Sequence, residues 1–576
     1  MANSIVSVPG ILLQIFIRGN SPEFQWILIL AHKTLNFSNN AIVRGLGIKT
    51  KINDKMTIET PKAFKWNQYL VNGQLKTWTG DFETVYSPMG EVGADGKVAK
   101  TVLGEAPLMS KEAGMEALEA AKLAYNHGRG AWPTASSDER VAALEHFLEL
   151  MVEKREEVSQ LLMWEIAKNE QAAYQEFDRT VEYIRDTINE YKQMQRDGSR
   201  IGAKDGMLSQ IRRGPLGVVL CLGPYNYPLN ETFCLLIPAV LMGNTIIFKP
   251  AKYGVLLLTP LVEAFQKAFP PGVVNVVFGR GRTLAGPMMA TGDIDVLALI
   301  GNSKSSNALV AQHPKPNRLR QILGLEAKNP AIVFADADLD TAVKESVKGA
   351  LSYNGQRCTA LKIIFVHRAV ADSFVAKLST AVDALALDHP LRNPVLTPLP
   401  ERKKVPEMEA YVKDALAHGA KQVNARGGRV NETSFFPAVL YPVNKDMRIF
   451  HEEQFGPVVP VVVFDDLEEV MESVAASDYG QQCSLFSESQ STIAYAVDNM
   501  VNQVCRVNIN ASCQRGPDYL PFTGRKDSAV GTLSVHDALR SFSIRTLVAA
   551  SVNQKDLVRD VLRNGESNFM TTDYLL

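Results

Sequence analysis

The side chain best suited to chemistry in this sequence is a thiol that lies beside a permanent cation. Cys358 directly follows Arg357 in the run Tyr-Asn-Gly-Gln-Arg-Cys-Thr at 353–359. A neighbouring guanidinium favours the thiolate over the thiol, and the thiolate is the nucleophilic form. The pair therefore suits covalent catalysis on an electrophile such as a carbonyl carbon. On this run alone, a small buried hydrophobic residue is an equally good interpretation of Cys358.

The composition excludes several other classes of protein. The chain has 576 residues, 61 Lys and Arg against 62 Asp and Glu, and a formal net charge of −1, a balance typical of a soluble globular protein and not of a nucleic-acid binder. Six cysteines without a CxxC pair and nine scattered histidines favour a reducing compartment and predict no metal site. Apolar runs near the start are seven to eight residues long, far short of the roughly 20 that span a bilayer, so no membrane contact is expected.

Residues 1–65 differ in character from the rest of the chain. The first 53 residues contain several basic residues and a single acid, Glu23, a composition compatible with an organelle transit peptide. A disordered extension explains the same composition equally well. We therefore expect a cytoplasmic protein, with organelle import through this extension as the alternative.

Two alternations of strands and helices must position the thiol. An Asn-Gly turn at 72–73 predicts a hairpin, and helical spacing follows over 110–128 and 137–196. From Gly214 onward, continuous apolar strands alternate with helices as far as 278, the pattern of a parallel sheet buried on both faces. A second alternation, from Ala331 to Ile509, predicts a second α/β domain that carries Cys358.

Five separated motifs occur in one order along the chain. They are Gly-Pro-Tyr-Asn-Tyr-Pro-Leu-Asn at 223–230, Phe-Lys-Pro-Ala at 248–251, Gly-Arg-Gly at 279–281, Gly-Gln-Arg-Cys at 355–358 and Glu-Gln-Phe-Gly-Pro at 453–457. Over residues 66–550 the chain thereby resembles the aldehyde dehydrogenase superfamily. The resemblance implies an α/β aldehyde dehydrogenase fold, with a parallel-sheet NADP-binding domain (66–197 and 215–324), an α/β catalytic domain (325–536), a β-strand oligomerisation arm (198–214 and 537–552), and extensions at 1–65 and 553–576.

The same resemblance implies a mechanism. Cys358 would attack an aldehyde to give a thiohemiacetal, hydride would pass to a nicotinamide, and the resulting thioacyl enzyme would be hydrolysed. Asn226 matches the family's oxyanion asparagine and would donate its amide N–H to the tetrahedral oxygen, together with the backbone N–H of Cys358. One such donor typically lowers the barrier by about 2.7–4 kcal/mol. Taken singly, Asn226 is more typical of a turn residue.

The cofactor residues follow from the motifs. Lys252 stands where NAD-preferring relatives carry a Glu for the adenosine ribose, and an ammonium there attracts a 2′-phosphate, which predicts NADP. Lys249 ends a strand, where an open α/β sheet meets its nucleotide. A helix start after Gly301 favours the pyrophosphate. The resemblance implies further cofactor contacts at Gly281, Asn302, Glu453 and Phe455.

Four residues match the substrate-anion positions of the non-phosphorylating, NADP-dependent glyceraldehyde-3-phosphate dehydrogenases within that family. They are Arg179, Tyr227, Arg357 and Arg515. Guanidinium forks suit phosphate or carboxylate, so a small anionic aldehyde is expected as the substrate. The leading hypothesis is oxidation of glyceraldehyde 3-phosphate to 3-phosphoglycerate with NADP, and the alternative is another small anionic aldehyde such as succinic semialdehyde.

One position departs from the family pattern. The family's general base heads a Glu-Leu-Gly-Gly-Lys run, but here Gly324 takes its place and Glu326 replaces a glycine. In an extended chain these two positions face the same side, about 6.6 Å apart. Glu326 as a displaced base, Glu453 or a water network as the base, and slow deacylation or an acceptor other than water all remain open. An alternative of another class is a catalytically impaired relative that serves as a binding subunit.

Two strand-like segments bear on assembly. Residues 208–212 and 542–548 resemble the family's bridging arm, which extends a neighbour's sheet and covers an exposed edge. A homodimer or homotetramer is therefore predicted.

Overall fold

A computed structural model describes residues 4–8, 11–15, 60–92 and 98–575 of the chain. The chain divides into two units, 1–59 and 60–576. In the first unit, strands Ser4–Val8 and Ile11–Ile15 pair antiparallel. The remaining residues up to 59, and with them most of the predicted N-terminal extension, lie outside the described residues.

The larger unit contains an eight-stranded sheet whose central strands are parallel. Strands Val218–Leu222, Thr245–Lys249 and Val296–Ile300 are almost wholly buried, which confirms the two-sided burial predicted from their apolar sequences. In spatial order the strands are Ala529–Val530, Arg320–Gly324, Val296–Ile300, Val218–Leu222, Thr245–Lys249, Val274–Val276, Gln68–Val71 and Gln74–Thr77. The last two form the predicted hairpin, and its turn residues Asn72 and Gly73 have φ of 53° and 71°.

Helices cover this sheet and continue beside it. They are Lys111–Tyr125, Ala131–Thr134, Ser137–Val152, Arg155–Ile166, Glu170–Gly198, Asn230–Leu241, Val262–Ala268, Gly281–Thr291 and Ser303–Val310, with 3₁₀ turns at Asn126–Gly128 and Leu256–Leu261. The helical pattern predicted over 137–196 is therefore three helices. Ala167 ends the second in a left-handed conformation (φ 52°), and the Asn169 side chain caps the third.

Cys358 lies in the domain built on a seven-stranded sheet. In spatial order its strands are Lys421–Gln422, Ala438–Tyr441, Val458–Phe464, Ile363–His367, Pro330–Val333, Gln482–Phe486 and Arg506–Ile509, all parallel except the first pair. Ile332 packs in the apolar cluster on one face, whereas Ala331 and Val333 pack in the cluster on the other. The surrounding helices are Leu339–Leu351, Arg368–Asp383, Lys404–Ala417, Arg448–His451, Leu467–Ala476 and Gln490–Met500, with 3₁₀ turns at Ser352–Gly355 and Pro390–Arg392. Helix Val535–Ser541 instead packs against helices Glu170–Gly198 and Asn230–Leu241.

The two segments predicted as an arm pair with each other. Strand Ser543–Ser551 runs antiparallel to Met207–Pro215, which also pairs with Ile201–Lys204. The chain then forms a 3₁₀ turn at Val552–Gln554, a helix at Lys555–Asn564 and a last turn at Asp573–Leu575. Arg212 donates to the carbonyls of Asn568 and Phe569, so the C-terminal segment folds back onto the arm.

Three small sheets complete the described structure. They comprise Phe64–Lys65 with Val98–Pro107 and Phe82–Val92, Val430–Asn431 with Ser434–Phe435, and Tyr479–Gly480 with Arg525–Lys526. Phe64 pairs with Gly104, so ordered pairing in the larger unit begins before the predicted boundary at residue 66.

Candidate active site

One cavity of about 800 Å³ gathers most of the predicted site residues. Its lining includes Arg179, Asn226, Tyr227, Lys252, Gly301, Asn302, Glu326, Arg357, Cys358, Glu453, Phe455 and Arg515. Lys249 and Gly281 are not among the lining residues. Because the carboxyl ends of parallel strands meet at one edge of a sheet, the loops after Leu222 and Ile300 bring distant parts of the chain together here.

The nucleophile loop is a strained turn. Tyr353 and Asn354 have φ of 50° and 55° just before Cys358, and Asn329 Nδ2 donates to the Cys358 carbonyl at 2.8 Å. Burial raises the pKa of the Cys358 thiol, and the Glu453 carboxylate adds to the rise. The thiol is therefore favoured over the thiolate, contrary to the prediction from Arg357 alone, because burial outweighs the neighbouring cation.

Arg357 braces this loop. Its Nη2 donates to the Gly349 carbonyl at 2.8 Å and to the Lys348 carbonyl at 3.4 Å, at the end of helix Leu339–Leu351. Its buried Nε has no hydrogen-bond partner among the described residues. Arg357 thus holds the backbone through Nη2, while its Nε is a buried donor without a partner there.

Asn226 is held from two sides. Its side-chain Nδ2 donates to the Gln356 carbonyl at 2.8 Å. Its backbone carbonyl accepts from Lys168 Nζ at 3.0 Å. Lys168 forms a buried ion pair with Glu176. Glu176 in turn accepts from the backbone N–H of Leu229 and Asn230, each at 3.1 Å. The side chain amide is therefore fixed two residues from the nucleophile, with a second N–H available for an oxyanion.

Gly324 ends a strand, and Glu326 lies two residues further in the half-buried wall of the cavity. The Glu326 carboxylate accepts from the backbone N–H of Ser303 at 2.8 Å and from its hydroxyl at 2.5 Å. Ser303 begins helix Ser303–Val310, which Asn302 caps. The predicted base candidate is thus docked on a helix N-terminus, the position expected for the cofactor's pyrophosphate.

Glu453 lies between the nucleophile and the cofactor motif. Its Oε1 accepts from the Ala327 N–H at 3.3 Å and lies 3.7 Å from Lys362 Nζ. Burial raises the pKa of Glu453, and Lys362 opposes the rise. Phe455 packs edge-on against Tyr225, with 5.9 Å between ring centroids.

The two cofactor lysines differ in surroundings. Lys252 is exposed and its Nζ lies 2.9 Å from a carboxylate of Glu83, which sequence reasoning missed. Lys249 is buried and donates to the carbonyls of Pro250 and Gly279, and burial lowers its pKa to about 8. Gly281 begins helix Gly281–Thr291, and a side chain at this position would meet open space.

The substrate arginines carry counter-ions that sequence reasoning also missed. Arg179 grips Asp518 through Nε and Nη2, at 2.8 and 2.7 Å. Arg515 pairs with buried Glu231, and its Nε lies 3.3 Å from Asp518. Tyr227 stacks beneath the Lys168 ammonium at 3.5 Å from the ring centroid. Three of the predicted substrate residues therefore bring guanidiniums to one cavity, and two of these guanidiniums are already paired with acids.

Comparison with known proteins identifies the class. The profile of the aldehyde dehydrogenase family matches residues 96–548. The chain belongs to that family, and the fold predicted from its motifs is confirmed.

Particular relatives extend the comparison. The chain is 33% identical to an NADP-dependent glyceraldehyde-3-phosphate dehydrogenase of Streptococcus equinus over 449 residues, 77% of this chain and 91% of the relative. It is 28% identical to malonate-semialdehyde dehydrogenase 1 of Shouchella clausii over 497 residues, 85% of this chain and 98% of the relative. The crystal structure of NADP-dependent glyceraldehyde-3-phosphate dehydrogenase from Bacillus halodurans with NADP superposes with a TM-score of 0.76 at 32% identity, covering 84% of this chain and 99% of that one.

Two other kinds of arrangement, a metal centre and a membrane-spanning helix, are absent from the described residues. Within that part of the chain, no cluster of three or more His, Cys, Asp or Glu side chains is placed to bind a metal ion. In the same residues, every helix is too short or too polar to traverse a bilayer.

Proposed function

We propose that the protein oxidises glyceraldehyde 3-phosphate to 3-phosphoglycerate with NADP. The observation that carries the proposal is that the cavity around Cys358 and Asn226 is also lined by Arg179, Arg357 and Arg515. A reactive thiol, an oxyanion donor and guanidinium forks in one cavity suit a small aldehyde with an anionic end. The names of the Streptococcus and Bacillus relatives support the same substrate and cofactor.

The residues present fit NADP. Lys252 supplies an exposed cation for the 2′-phosphate, the N-terminus of helix Ser303–Val310 supplies N–H donors, and Glu453 and Phe455 line the cavity toward Cys358. Bound there, NADP supplies the hydride acceptor. Glu326 competes for the same helix N-terminus, so we expect its carboxylate to leave Ser303 when the phosphates bind.

The chain's own residues would act in this order. Cys358, after losing its proton, attacks the aldehyde carbon, and Asn226 Nδ2 with the Cys358 backbone N–H stabilises the resulting oxyanion. Loss of hydride from the former aldehyde carbon, for which bound NADP would be the acceptor, then converts the thiohemiacetal into a thioester on Cys358. Water then attacks the thioester and releases the acid, with the Cys358 sulfur as leaving group.

Two carboxylates of the cavity are candidates for the base that activates this water. Glu326 is the first candidate because it lies in the cavity wall and has no cation within salt-bridge distance among the described residues. Glu453 is the second, since burial raises its pKa toward the range of a general base. A bound water network, or slow deacylation to another acceptor, completes the alternatives.

A second substrate class is favoured by the counter-ions in the pocket. Glu231 and Asp518 offset the charges of Arg515 and Arg179, which suits a singly charged carboxylate better than a phosphate. Succinic semialdehyde and similar aldehydes therefore remain the alternative, and the Shouchella relative is named for such a substrate. A role as a binding subunit alone is less well supported, because Cys358, Asn226 and Glu453 all line one cavity.

The experiment that tests the proposal combines burst and steady-state kinetics. NADPH formation is followed after mixing enzyme and NADP with glyceraldehyde 3-phosphate, succinic semialdehyde or neutral glyceraldehyde. We expect the highest kcat/KM for glyceraldehyde 3-phosphate. A preference for succinic semialdehyde selects the alternative, and a preference for glyceraldehyde overturns both.

Assembly and compartment belong to the proposal as well. Ile211 and Leu547 are paired across the arm and each is more than two-fifths exposed, so we propose that this sheet meets a second copy in a homodimer or homotetramer. Light scattering on wild type and Leu547→Lys tests this, and a monomeric wild type contradicts it. The six cysteines are free thiols, which supports a reducing compartment such as the cytoplasm.

A further inference from the structure

A buried lysine lies directly behind the nucleophile. Lys362 is four residues after Cys358, and its side chain is 1% exposed. Its Nζ donates to the Gly355 carbonyl at 2.8 Å and to the Gln454 carbonyl at 3.0 Å, and it lies 3.7 Å from Glu453 Oε1. One ammonium therefore joins the loop that carries the thiol to the loop that carries the cofactor-site carboxylate.

Burying an ammonium at this position is unfavourable unless its charge interacts with nearby groups. Removing it from water costs several kcal/mol, and burial lowers the pKa of Lys362 to about 8 against the opposing effects of Glu453 and Cys358. Neutral donors would satisfy the two carbonyls at less cost. The charge, and not only the hydrogen bonds, is what distinguishes a lysine here.

Three cations near Cys358 and Glu453 make other contacts. Arg357 donates to backbone carbonyls of helix Leu339–Leu351. Lys328 donates to the carbonyls of Ile449 and Glu452 and to Gln454 Oε1. Lys404 pairs with Glu407 at 2.9 Å and lies farther than Lys362 from the Phe455 ring, 6.0 against 4.7 Å.

We infer that Lys362 is a positioning residue of the reaction, whose charge orients Glu453 and stabilises the Cys358 thiolate. The inference rests on the proposed function only in taking Cys358 as the nucleophile. Among the described cations, Lys362 acts on the thiol ahead of Arg357 in lowering its pKa. In this inference the role first assigned to Arg357 passes to Lys362, the residue just before strand Ile363–His367.

Several charged groups lie near Lys362 and Glu453, and their effects must be distinguished from the effect of the Lys362 charge. Glu453 faces Lys362 directly, Glu326 faces Glu453, and Lys328 and Lys404 act on the lysine or the carboxylate from neighbouring elements. Removing Lys362 alone would raise the pKa of Glu453, and a protonated Glu453 would no longer repel the thiolate. The two effects oppose each other, so the charge of Lys362 is best tested with Glu453 already replaced.

The experiment measures the reactivity of the thiol without any aldehyde or cofactor. Alkylation of Cys358 by iodoacetamide is followed against pH by peptide mass spectrometry, which separates it from half-buried Cys505. Glu453→Gln is compared with Lys362→Met/Glu453→Gln. Loss of a nearby cation shifts a thiol pKa upward by about one unit or more, so alkylation near neutral pH should slow about tenfold or more.

Matched controls distinguish charge from packing. Lys404→Met/Glu453→Gln removes a lysine that lines the cavity and should change the alkylation rate less than threefold. Lys362→Gln/Glu453→Gln keeps a hydrogen-bond donor without the charge and should behave like the Met variant. The Gln variant also replaces the Met variant if the latter does not fold. A folded charge-free variant with the pH profile of Glu453→Gln overturns the inference. If wild type oxidises no aldehyde but the alkylation shift is found, the proposed function fails, while the effect of the Lys362 charge on the Cys358 thiol is still established.

Discussion

The Glu326 carboxylate occupies the N-terminus of helix Ser303–Val310, where it accepts from both the N–H and the hydroxyl of Ser303. A helix N-terminus attracts anions through its free N–H groups and its dipole. The chain's own acid therefore fills an anion site that a dinucleotide phosphate would also use. Cofactor binding and release of Glu326 into the cavity are thereby linked.

Replacing this carboxylate should separate the two halves of the reaction. Glu326→Gln should leave the first-turnover burst of NADPH within a few-fold of wild type, because acylation needs no base at this position. Its steady-state rate should fall by about 10²–10⁴, the usual contribution of a general base. Rapid-mixing kinetics measures both phases, and Glu453→Gln is the matched control. Equal loss of burst and steady state in Glu326→Gln contradicts the assignment.

Cofactor preference should depend on Lys252. Lys252→Glu reverses the charge at an exposed position, and kcat/KM for NADP should fall at least about tenfold relative to NAD because a carboxylate repels the 2′-phosphate. Lys403→Glu is the control, since Lys403 also lines the cavity and pairs with an acid, Glu401. If both variants show the same ratio of kcat/KM for NADP to kcat/KM for NAD, a residue other than Lys252 sets the cofactor preference.

The two paired arginines should respond differently to substitution. Arg515→Leu leaves Glu231 buried without its partner, and such a loss typically lowers the free energy of unfolding by about 3–5 kcal/mol. Arg179→Leu should lower the free energy of unfolding less, because Asp518 keeps its ion pair with Arg515. It should instead raise KM for an anionic aldehyde about tenfold or more, through loss of a charge-assisted hydrogen bond. Urea unfolding and steady-state kinetics measure the two effects, and the reverse pattern contradicts them.

A buried carboxylate should make stability depend on pH. Glu165 accepts from the backbone N–H of Gly254, Val255, Leu256 and Leu257, yet burial raises its pKa from 4.5 to about 7. Because the folded pKa is the higher one, the contribution of Glu165 is full below pH 4.5 and is lost as pH rises toward 7. The loss is at most ~3 kcal/mol. Unfolding of wild type and Glu165→Gln at several pH values should diverge in this window, and parallel curves would exclude the effect.

Much of the fold was predictable from apolar runs and turn residues, whereas the charge balance of the site was not predictable from the sequence. Strand Val218–Leu222 and the hairpin turn at Asn72 follow from apolar runs and turn residues that are adjacent in sequence. Asp518 meets Arg179 from 339 positions away, and no periodicity in either segment indicates that contact. Glu83 beside Lys252 and Glu453 beside Lys362 were unpredictable for the same reason. Motifs located the reactive groups, but folding decided which of them are neutralised.

The carboxylate of Glu326 can be moved to position 324 by exchanging the two residues. Gly324→Glu combined with Glu326→Gly places a carboxylate where the family carries its base and frees the N-terminus of helix Ser303–Val310. A Cβ at position 324 would lie 3.3 Å from Ile300 Cγ1, so Ile300→Ala is added to relieve the contact.

The exchanged enzyme should deacylate at least about 100-fold faster than the same variant with Gly324→Gln, which has equal size and no basic oxygen. It should also bind NADP more tightly than wild type, because the phosphates no longer compete with Glu326. Burst and steady-state kinetics, together with fluorescence titration of the cofactor, measure the two effects. If the Glu and Gln forms turn over equally, water is activated from another direction and Glu453 becomes the leading candidate for the base.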